Sequence, residues 1–569
     1  MGVPGFFAWL LKQKTQHKIL QPSLTVRPFG LYLDANCLFH PQCFKILKLS
    51  SSEHDIVKLE SLMIDQIISY IEFLIKVANP SGIIYIGVDG VAPLAKIRQQ
   101  RMRRYKSVVD NQIKNLIMKR HNIPHNESWS NIVITPGTDF MVKLDKALSN
   151  FVSKLKRTYP TIIIKYSSYK EKGEGEHKIM QYIKTNYKDK NYHHVIYGLD
   201  ADLIFLTLST EMQNLFLLRE SSQFKKMTPS DDSSIEEDLT FVSIDLTKLT
   251  LNEYIQNRIS METVENYKDS PLSKLSHIND FIFICFFLGN DFLPHILSLD
   301  IKKNGIDYVL NAYIHGLLRS ESNLVELIKN SDNTITDIRI NVIGFEAFLG
   351  FLSDSEEKFF KEDLPKHMQL FAKRRIFATT PYEREVAQHE NIFNIKTYDR
   401  FNFTSPLVSM SDSKYQYYEH YFKQSSNQSI LIDNICKSYF EMLRWNLEYY
   451  FINCPNWLSQ YEFNHAPFIT DLYKNISMFG QTKLVSSTEH LTMHEQLLSV
   501  IPPQYSYILP RNVQQNMSNK YLSYMFPLSS HIDTLYKEQY WLTQMELPYL
   551  DYKMIRNVLN VVNVLNVVK

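Results

Sequence analysis

The sequence predicts an α/β fold in which helices flank a mainly parallel sheet, and three observations carry that prediction. Three short apolar runs each lead into an aspartate: Gly30-Leu-Tyr-Leu-Asp34, Gly82-Ile-Ile-Tyr-Ile-Gly-Val-Asp89 and Val195-Ile-Tyr-Gly-Leu-Asp200. Long stretches of helical periodicity, Ile56–Val77 and Ala95–Arg120, lie between them. Strands alternating with helices pack as a parallel sheet joined by crossovers. Acids at the C-terminal ends of such strands then gather at the edge where α/β sheets place ligands.

Further along, Ser221–Asp238 is polar, acidic and rich in serine, which predicts an exposed insertion spanning about residues 221–240. Phe281–Leu288 is far shorter than the roughly 20 apolar residues of a membrane span, so it predicts a buried helix. That helix should start near Asp280 and stop at Gly289. The polar run Ser353–Asp363 follows apolar Phe345–Leu352 and marks an expected boundary near residue 350, dividing 1–350 from 351–569. The second part is rich in Tyr, Phe and Trp and reads as mostly helical with aromatic loops. The tail Asn557–Lys569 repeats Asn every third residue, a period that suits neither helix nor strand.

Composition narrows the function classes. A chain of 569 residues exceeds one domain of roughly 100–200 residues. Hydrophobic residues at 44% and charged residues at 21% make an ordinary globular balance, and no apolar run is long enough to span a membrane. A net charge of +2 excludes a uniformly basic surface, so any contact with nucleic acid must come from local patches. Cys37, Cys43, Cys285, Cys436 and Cys454 show neither a CxxC pair nor zinc-ligand spacing, which argues for a reducing compartment. Phe6–Leu11 is too short for a signal peptide, and Phe6 stands where a myristoylation signal needs Ser or Thr. With no basic import run, the expected location is the cytoplasm.

Seven acids occupy unusual local contexts: Asp34, Asp89, Glu174, Glu176, Asp200, Asp202 and Asp291. Asp34 and Asp89 end apolar strands. Glu174 and Glu176 sit in Lys172-Gly-Glu-Gly-Glu-His177, where glycine permits a tight turn. Asp200 and Asp202 share Gly198-Leu-Asp-Ala-Asp202, and Asp291 follows Leu288-Gly-Asn290. Taken singly, each is as readily a helix cap or a loop residue. Together at one sheet edge they could not all remain ionised without a cation. Magnesium, which takes oxygen ligands and keeps waters, is the natural partner, and two such ions could flank a phosphodiester.

Lys96, Gln100, Arg103 and Arg104 fall at i, i+4, i+7 and i+8 and therefore share one helix face. Their donors suit a terminal phosphate, while Arg98 and Arg101 point elsewhere. A solvated charged face is the alternative for such a run; its position just after Asp89 favours the pocket. His40 follows Asp34 closely and could stack on a base, as could Trp457 in Cys454-Pro-Asn-Trp457, although most such rings are structural.

The motifs Met1-Gly-Val-Pro-Gly-Phe-Phe7, Leu31-Tyr-Leu-Asp-Ala-Asn36, Asp89-Gly-Val-Ala-Pro-Leu-Ala-Lys96, Gln99-Gln-Arg-Met-Arg-Arg104, Ile134-Thr-Pro-Gly-Thr138, Gly173-Glu-Gly-Glu-His-Lys-Ile-Met180, Tyr197-Gly-Leu-Asp-Ala-Asp-Leu203 and Gly289-Asn-Asp-Phe-Leu-Pro294 appear in this order. Together they resemble the XRN family of 5′→3′ exoribonucleases, and the likeness continues through Trp445–Asp471, Met493–Pro502 and Leu547–Asp551. The resemblance implies a PIN-like fold related to flap endonucleases. It implies two Mg²⁺ ions, or Mn²⁺ in their place, on the seven acids, and a pocket for an RNA 5′-monophosphate formed by Lys96, Gln100, Arg103 and Arg104. It makes His40 and Trp457 stacking partners, and the second region a wall admitting only single-stranded RNA. Processive release of mononucleotides, a monomeric enzyme and a decapping step upstream belong to the same expectation. Three positions depart from the family pattern: Ser459 replaces a second Trp, Asn464-His-Ala-Pro467 replaces His-Tyr-Ala-Pro, and Lys172 replaces an apolar-Pro sequence. The resemblance spans the two conserved regions, and a compact form without the long extensions of larger relatives is the expectation. Two other readings remain at this point: a flap-endonuclease-like DNA nuclease with the same metal site, and an inactive RNA-binding scaffold, which would be expected to have lost acids that are all present here.

Overall fold

A computed structural model of the chain describes residues 5–13, 17–50, 53, 55–123, 129–187, 191–220, 239–262, 271–373, 376–392, 409–422, 428–481 and 484–567. The expected insertion at 221–238 lies outside the described residues. A seven-stranded sheet organises the first half: β1 (Leu20–Gln21), β2 (Gly30–Asp34), β3 (Ile83–Gly87), β4 (Ile163–Ser167), β5 (His194–Tyr197), β6 (Leu215–Glu220) and β7 (Leu239–Ser243). Its order is β1-β7-β6-β5-β2-β3-β4. The strands from β6 to β4 run parallel, and β7 and β1 close one edge antiparallel. This is the predicted PIN-like α/β arrangement, with the three acid-ending runs forming the central strands β5, β2 and β3.

These strands are buried on both faces, which is why they read as continuous apolar runs. Period-two alternation divides their side chains between two cores. Leu31, Leu33, Ile84 and Ile86 pack with the helices α1 (Ala35–Leu49), α2 (Ile56–Ala78) and α3, defined here as Asp139–Thr158. Tyr32, Ile83, Tyr85 and Ile196 face the opposite core with Gly175–Tyr187 and Ala201–Leu208. Asp55 caps α2 by accepting from Val57 N and Lys58 N, and Thr138 caps α3 through Met141 N.

The helix Ile278–Cys285 continues as a tight turn to Leu288 and ends at Gly289, whose φ of 85° suits glycine. The boundary expected near residue 350 falls inside the helix Val342–Lys358, and the polar run Ser353–Asp363 is not a linker. Its physical role is different: Glu356 is buried and accepts from Ile469 N and Thr470 N, while Phe359 and Phe360 are also buried. The tail adopts a helix, Tyr552–Val567. Tyr552, Ile555 and Leu559 recur at helical spacing and pack beside Leu497, which overrides the asparagine period.

The basic helix, Leu94–Arg120, owes its placement mainly to the second half. Leu94 and Ile97 share a core with Leu497, Ile501, Leu550 and Ile555, and Tyr105 packs with Ile532, Tyr540 and Met545. Arg101, 2% exposed, donates to the carbonyls of Met525 and Pro548. Arg98 donates to the carbonyls of Tyr461 and Phe463 and to Asn464 Oδ1. Both therefore leave the Lys96 face, as helical spacing predicts. No helix among the described residues is long and apolar enough to cross a membrane. All five cysteines are free.

Candidate metal and phosphate site

Asp34 ends β2 at the start of α1, and Asp89 follows β3 by two residues. The loop after Asp89 pairs with the glycine-rich turn: Gly90 N donates to the Gly173 carbonyl, and Gly173 N to the Val91 carbonyl. Gly173, with φ 105°, turns the chain so that Glu174 and Glu176 enter the same space at the start of helix Gly175–Tyr187. Asp200 stands at the N-cap of Ala201–Leu208, with Asp202 in its first turn.

Asp34, Asp89, Glu174, Glu176 and Asp200 line one cavity of about 450 Å³. Lys96, Gln100, Arg103, Arg104 and His40 line it too. Asp202 and Asp291 adjoin it through the Lys96 ammonium, which lies 2.5 Å from Glu174 Oε2, 2.7 Å from Asp291 Oδ2 and 3.8 Å from Asp202 Oδ2. All seven predicted acids and all four predicted phosphate ligands thus converge. Trp457 does not line the cavity. It sits beside Gly173, under the Lys172 ammonium at 4.7 Å, and its carbonyl accepts from Leu94 N.

Crowding perturbs these groups. Burial, then the charge of Asp89, raises the Asp34 carboxyl well above its ordinary range. Burial and Glu174 push Asp89 up to about 6, and burial and Asp291 push Asp202 up to about 7. Burial raises Glu176 strongly despite Lys96. Asp291 goes the other way: burial opposes its charge, but Lys96 prevails and holds it ionised. Lys96 itself is charged because Asp291 and Glu174 outweigh the burial that disfavours it. Burial and Arg104 lower His40 to about 4, so its ring is neutral at physiological pH.

Unused polar atoms lie in this cavity. Among the described residues, Glu176 Oε2, Gln100 Oε1 and Arg104 Nη1 are buried without hydrogen-bond partners. Buried polar atoms are ordinarily satisfied, so these three fit ligands: a cation at Glu176 and a phosphate group near Arg104. An oxygen-rich donor set of this density fits magnesium-class cations.

Sequence reasoning missed several members of this site. Tyr449 donates to Glu174 Oε1 at 2.8 Å, Tyr450 to Asp202 Oδ1 at 3.4 Å, and Gln99 to Asp291 Oδ1 at 2.9 Å. Cys37 lines the cavity and donates to Asp34 Oδ2 at 2.7 Å. Its position three residues after Asp34 on a helix start is a signal that could have found it. Asn36 Oδ1 accepts from Asp89 N and joins the first two strand ends.

Gly175 is packed closely between the acids. A Cβ there would stand 2.7 Å from Asp34 Oδ1, 2.9 Å from the Gly87 carbonyl and 3.3 Å from Asp89 Oδ1, while its own N–H donates to Asp89 at 2.6 Å. Gly175→Ala is expected to cost about 1–3 kcal/mol of stability through overpacking. It should also lower metal-dependent turnover by more than its melting curve accounts for, because Asp34 must move. Wild-type turnover in the variant would refute this reading of the crowding.

Comparison with known proteins adds what geometry alone does not. Residues 1–221 match the family model described as the XRN 5′-3′ exonuclease N-terminus. Residues 275–405 and 408–565 match the one described as the Xrn1 helical domain. The chain is 26% identical over 600 residues to human 5′-3′ exoribonuclease 1, covering 98% of this chain but 34% of that protein. It is 26% identical to 5′-3′ exoribonuclease 2 of Debaryomyces hansenii, covering 98% of this chain and 70% of the relative. Against 5′-3′ exoribonuclease 2 of Kluyveromyces lactis it is 31% identical over 464 residues, 72% of this chain and 44% of the relative. The chain therefore spans about a third of the human relative's length. With both conserved regions matched in order, the chain belongs to the XRN family of 5′-3′ exonucleases.

Proposed function

We propose that this protein is a metal-dependent 5′→3′ exoribonuclease that degrades 5′-monophosphorylated single-stranded RNA to mononucleotides. One observation carries the reading: five of the seven acids line the same cavity as Lys96, Gln100, Arg103 and Arg104. A phosphate held at the basic wall lies within one small space of the groups that would serve the scissile bond.

Two magnesium ions held by the seven acids, with manganese as a possible replacement, would activate water and stabilise the leaving 3′ oxygen. The chain's own residues do the rest. Arg103 and Arg104 offer forked donors to the terminal phosphate, and Gln100 offers an amide. Neutral His40 presents a flat ring that can stack on any base. Trp457, beside Gly173, is the proposed second stacking surface at the cavity margin. Loss of the 3′ oxygen leaves a new 5′-monophosphate on the remaining strand, so each product end is the next substrate end. That chemistry supports processive movement. It also means that a reaction leaving a 5′-monophosphate, such as removal of a cap or a pyrophosphate, must supply the first substrate.

The test uses one RNA with four different 5′ ends: monophosphate, hydroxyl, triphosphate and cap. Rapid loss of the monophosphorylated RNA alone is the expected result. Equal degradation of all four would discard the pocket assignment, and faster cleavage of branched DNA would favour a flap-type nuclease instead.

A further inference from the structure

We propose that His465, Asp533 and Glu546 form a separate metal site that takes a zinc-class transition ion. The ion would fasten the strand pair Ile532–Asp533 and Gln544–Met545 to the loop that carries His465. None of the three residues lines the catalytic cavity. Each offers one ligand atom, and these atoms all lie within 4.8 Å of one another.

His465 is 9% exposed and Asp533 5%, while Glu546 keeps about a quarter of its side chain, 26%, open to solvent. The geometry is thus a walled site with an entrance on the Glu546 side. Asp533 pairs with Gln544 across the two strands, and Glu546 N donates to the His531 carbonyl at 2.9 Å. Backbone pairing therefore fixes both carboxylates on one edge, facing a histidine from a segment some seventy residues earlier.

The donor set decides the ion. One imidazole nitrogen with two carboxylate oxygens is a zinc-type combination, whereas magnesium prefers oxygen alone. Supporting groups orient the ligands. Tyr421 donates to Asp533 Oδ1 at 3.1 Å, and its ring lies 3.9 Å from that of His465. His531 Nδ1 is 3.6 Å from Glu546 Oε2 and is available as a fourth ligand or can leave that place to water. Bonds of about 2.0–2.2 Å require the ligand atoms to draw in by about an ångström. His420, Arg98 and Lys537, whose ammonium lies 2.8 Å from His295 Nε2, act on His465 from the positive side.

Zinc should be titrated calorimetrically into the full chain, and retained metal counted by mass spectrometry after dialysis. Wild type is compared with His465→Gln, Glu546→Gln and an Asp200→Ala/Asp202→Ala variant, because the catalytic acids can also take zinc. Each of the first two variants should bind one equivalent fewer than wild type and lose part of the zinc-dependent rise in Tm. The double variant should retain that equivalent. Equal stoichiometry in wild type, His465→Gln and Glu546→Gln would overturn the site, as would loss confined to the double variant. If His465→Gln fails to fold, the more exposed Glu546→Gln decides the matter. Neither result depends on whether the protein cleaves RNA.

Discussion

Changing Asp200 and Asp202 together to alanine is expected to lower RNA turnover by at least about a thousandfold, equivalent to about 4 kcal/mol at 1.36 kcal/mol per decade. The two acids approach the cavity differently. Asp200 is exposed at a helix N-cap and lines it, whereas Asp202 is 3% exposed and reaches Lys96 and Tyr450. On the proposed metal site, losing both would remove a ligand from the open side and one from the buried side. Stability should not fall in parallel. Burial and Asp291 raise the Asp202 carboxyl to about 7, so its ionised form is a cost to the metal-free fold near neutral pH. Unfolding in chelator should therefore show the variant as stable as wild type, or more so. Added magnesium should raise Tm in wild type and have a smaller effect in the variant. Retained turnover would show that these acids do not hold the catalytic ions.

Lys96→Met should act in the opposite sense. Lys96 is 7% exposed and its ammonium bridges Glu174 and Asp291, so its removal leaves buried carboxylates without their counterion. Breaking a buried pair from one side costs about 3–5 kcal/mol. Urea unfolding in chelator should register that loss, and magnesium should recover much of it by supplying the missing positive charge. The same variant should discriminate less between monophosphate and hydroxyl RNA ends. Wild-type stability in chelator would mean that Lys96 is not the counterion of the metal-free site.

The acids and the basic face were legible because their signals are local. Asp34, Asp89 and Asp200 each close a short apolar run, and the 3.6-residue period alone puts Lys96, Gln100, Arg103 and Arg104 on one side of a helix. What was not legible depends on contacts between distant residues. Tyr449 meets Glu174 across 275 positions, and Tyr450 meets Asp202 across 248. Nothing near either tyrosine announces this; both look like ordinary core aromatics at the end of a long helix. The polar run after residue 352 misled for a related reason. Glu356 reads as solvated, yet it is 1% exposed because the backbone of Ile469 and Thr470 satisfies it. Trp457 illustrates a third limit: a motif can identify a ring without saying whether it lines the cavity.

The anchoring of the basic helix by Arg98 and Arg101 has a consequence for the order in which the molecule is made. The acids of the sheet lie within the first 300 residues, but the phosphate-binding face gains much of its support from residues 457 to 559. Contacts of such long sequence separation form late in folding. During synthesis, N-terminal portions emerge and fold first. A nascent chain can thus assemble its acid cluster while the helix that would seat an RNA end still lacks its scaffold. On the proposed function, RNA cleavage would then await synthesis of the residues, out to about 559, that brace this helix.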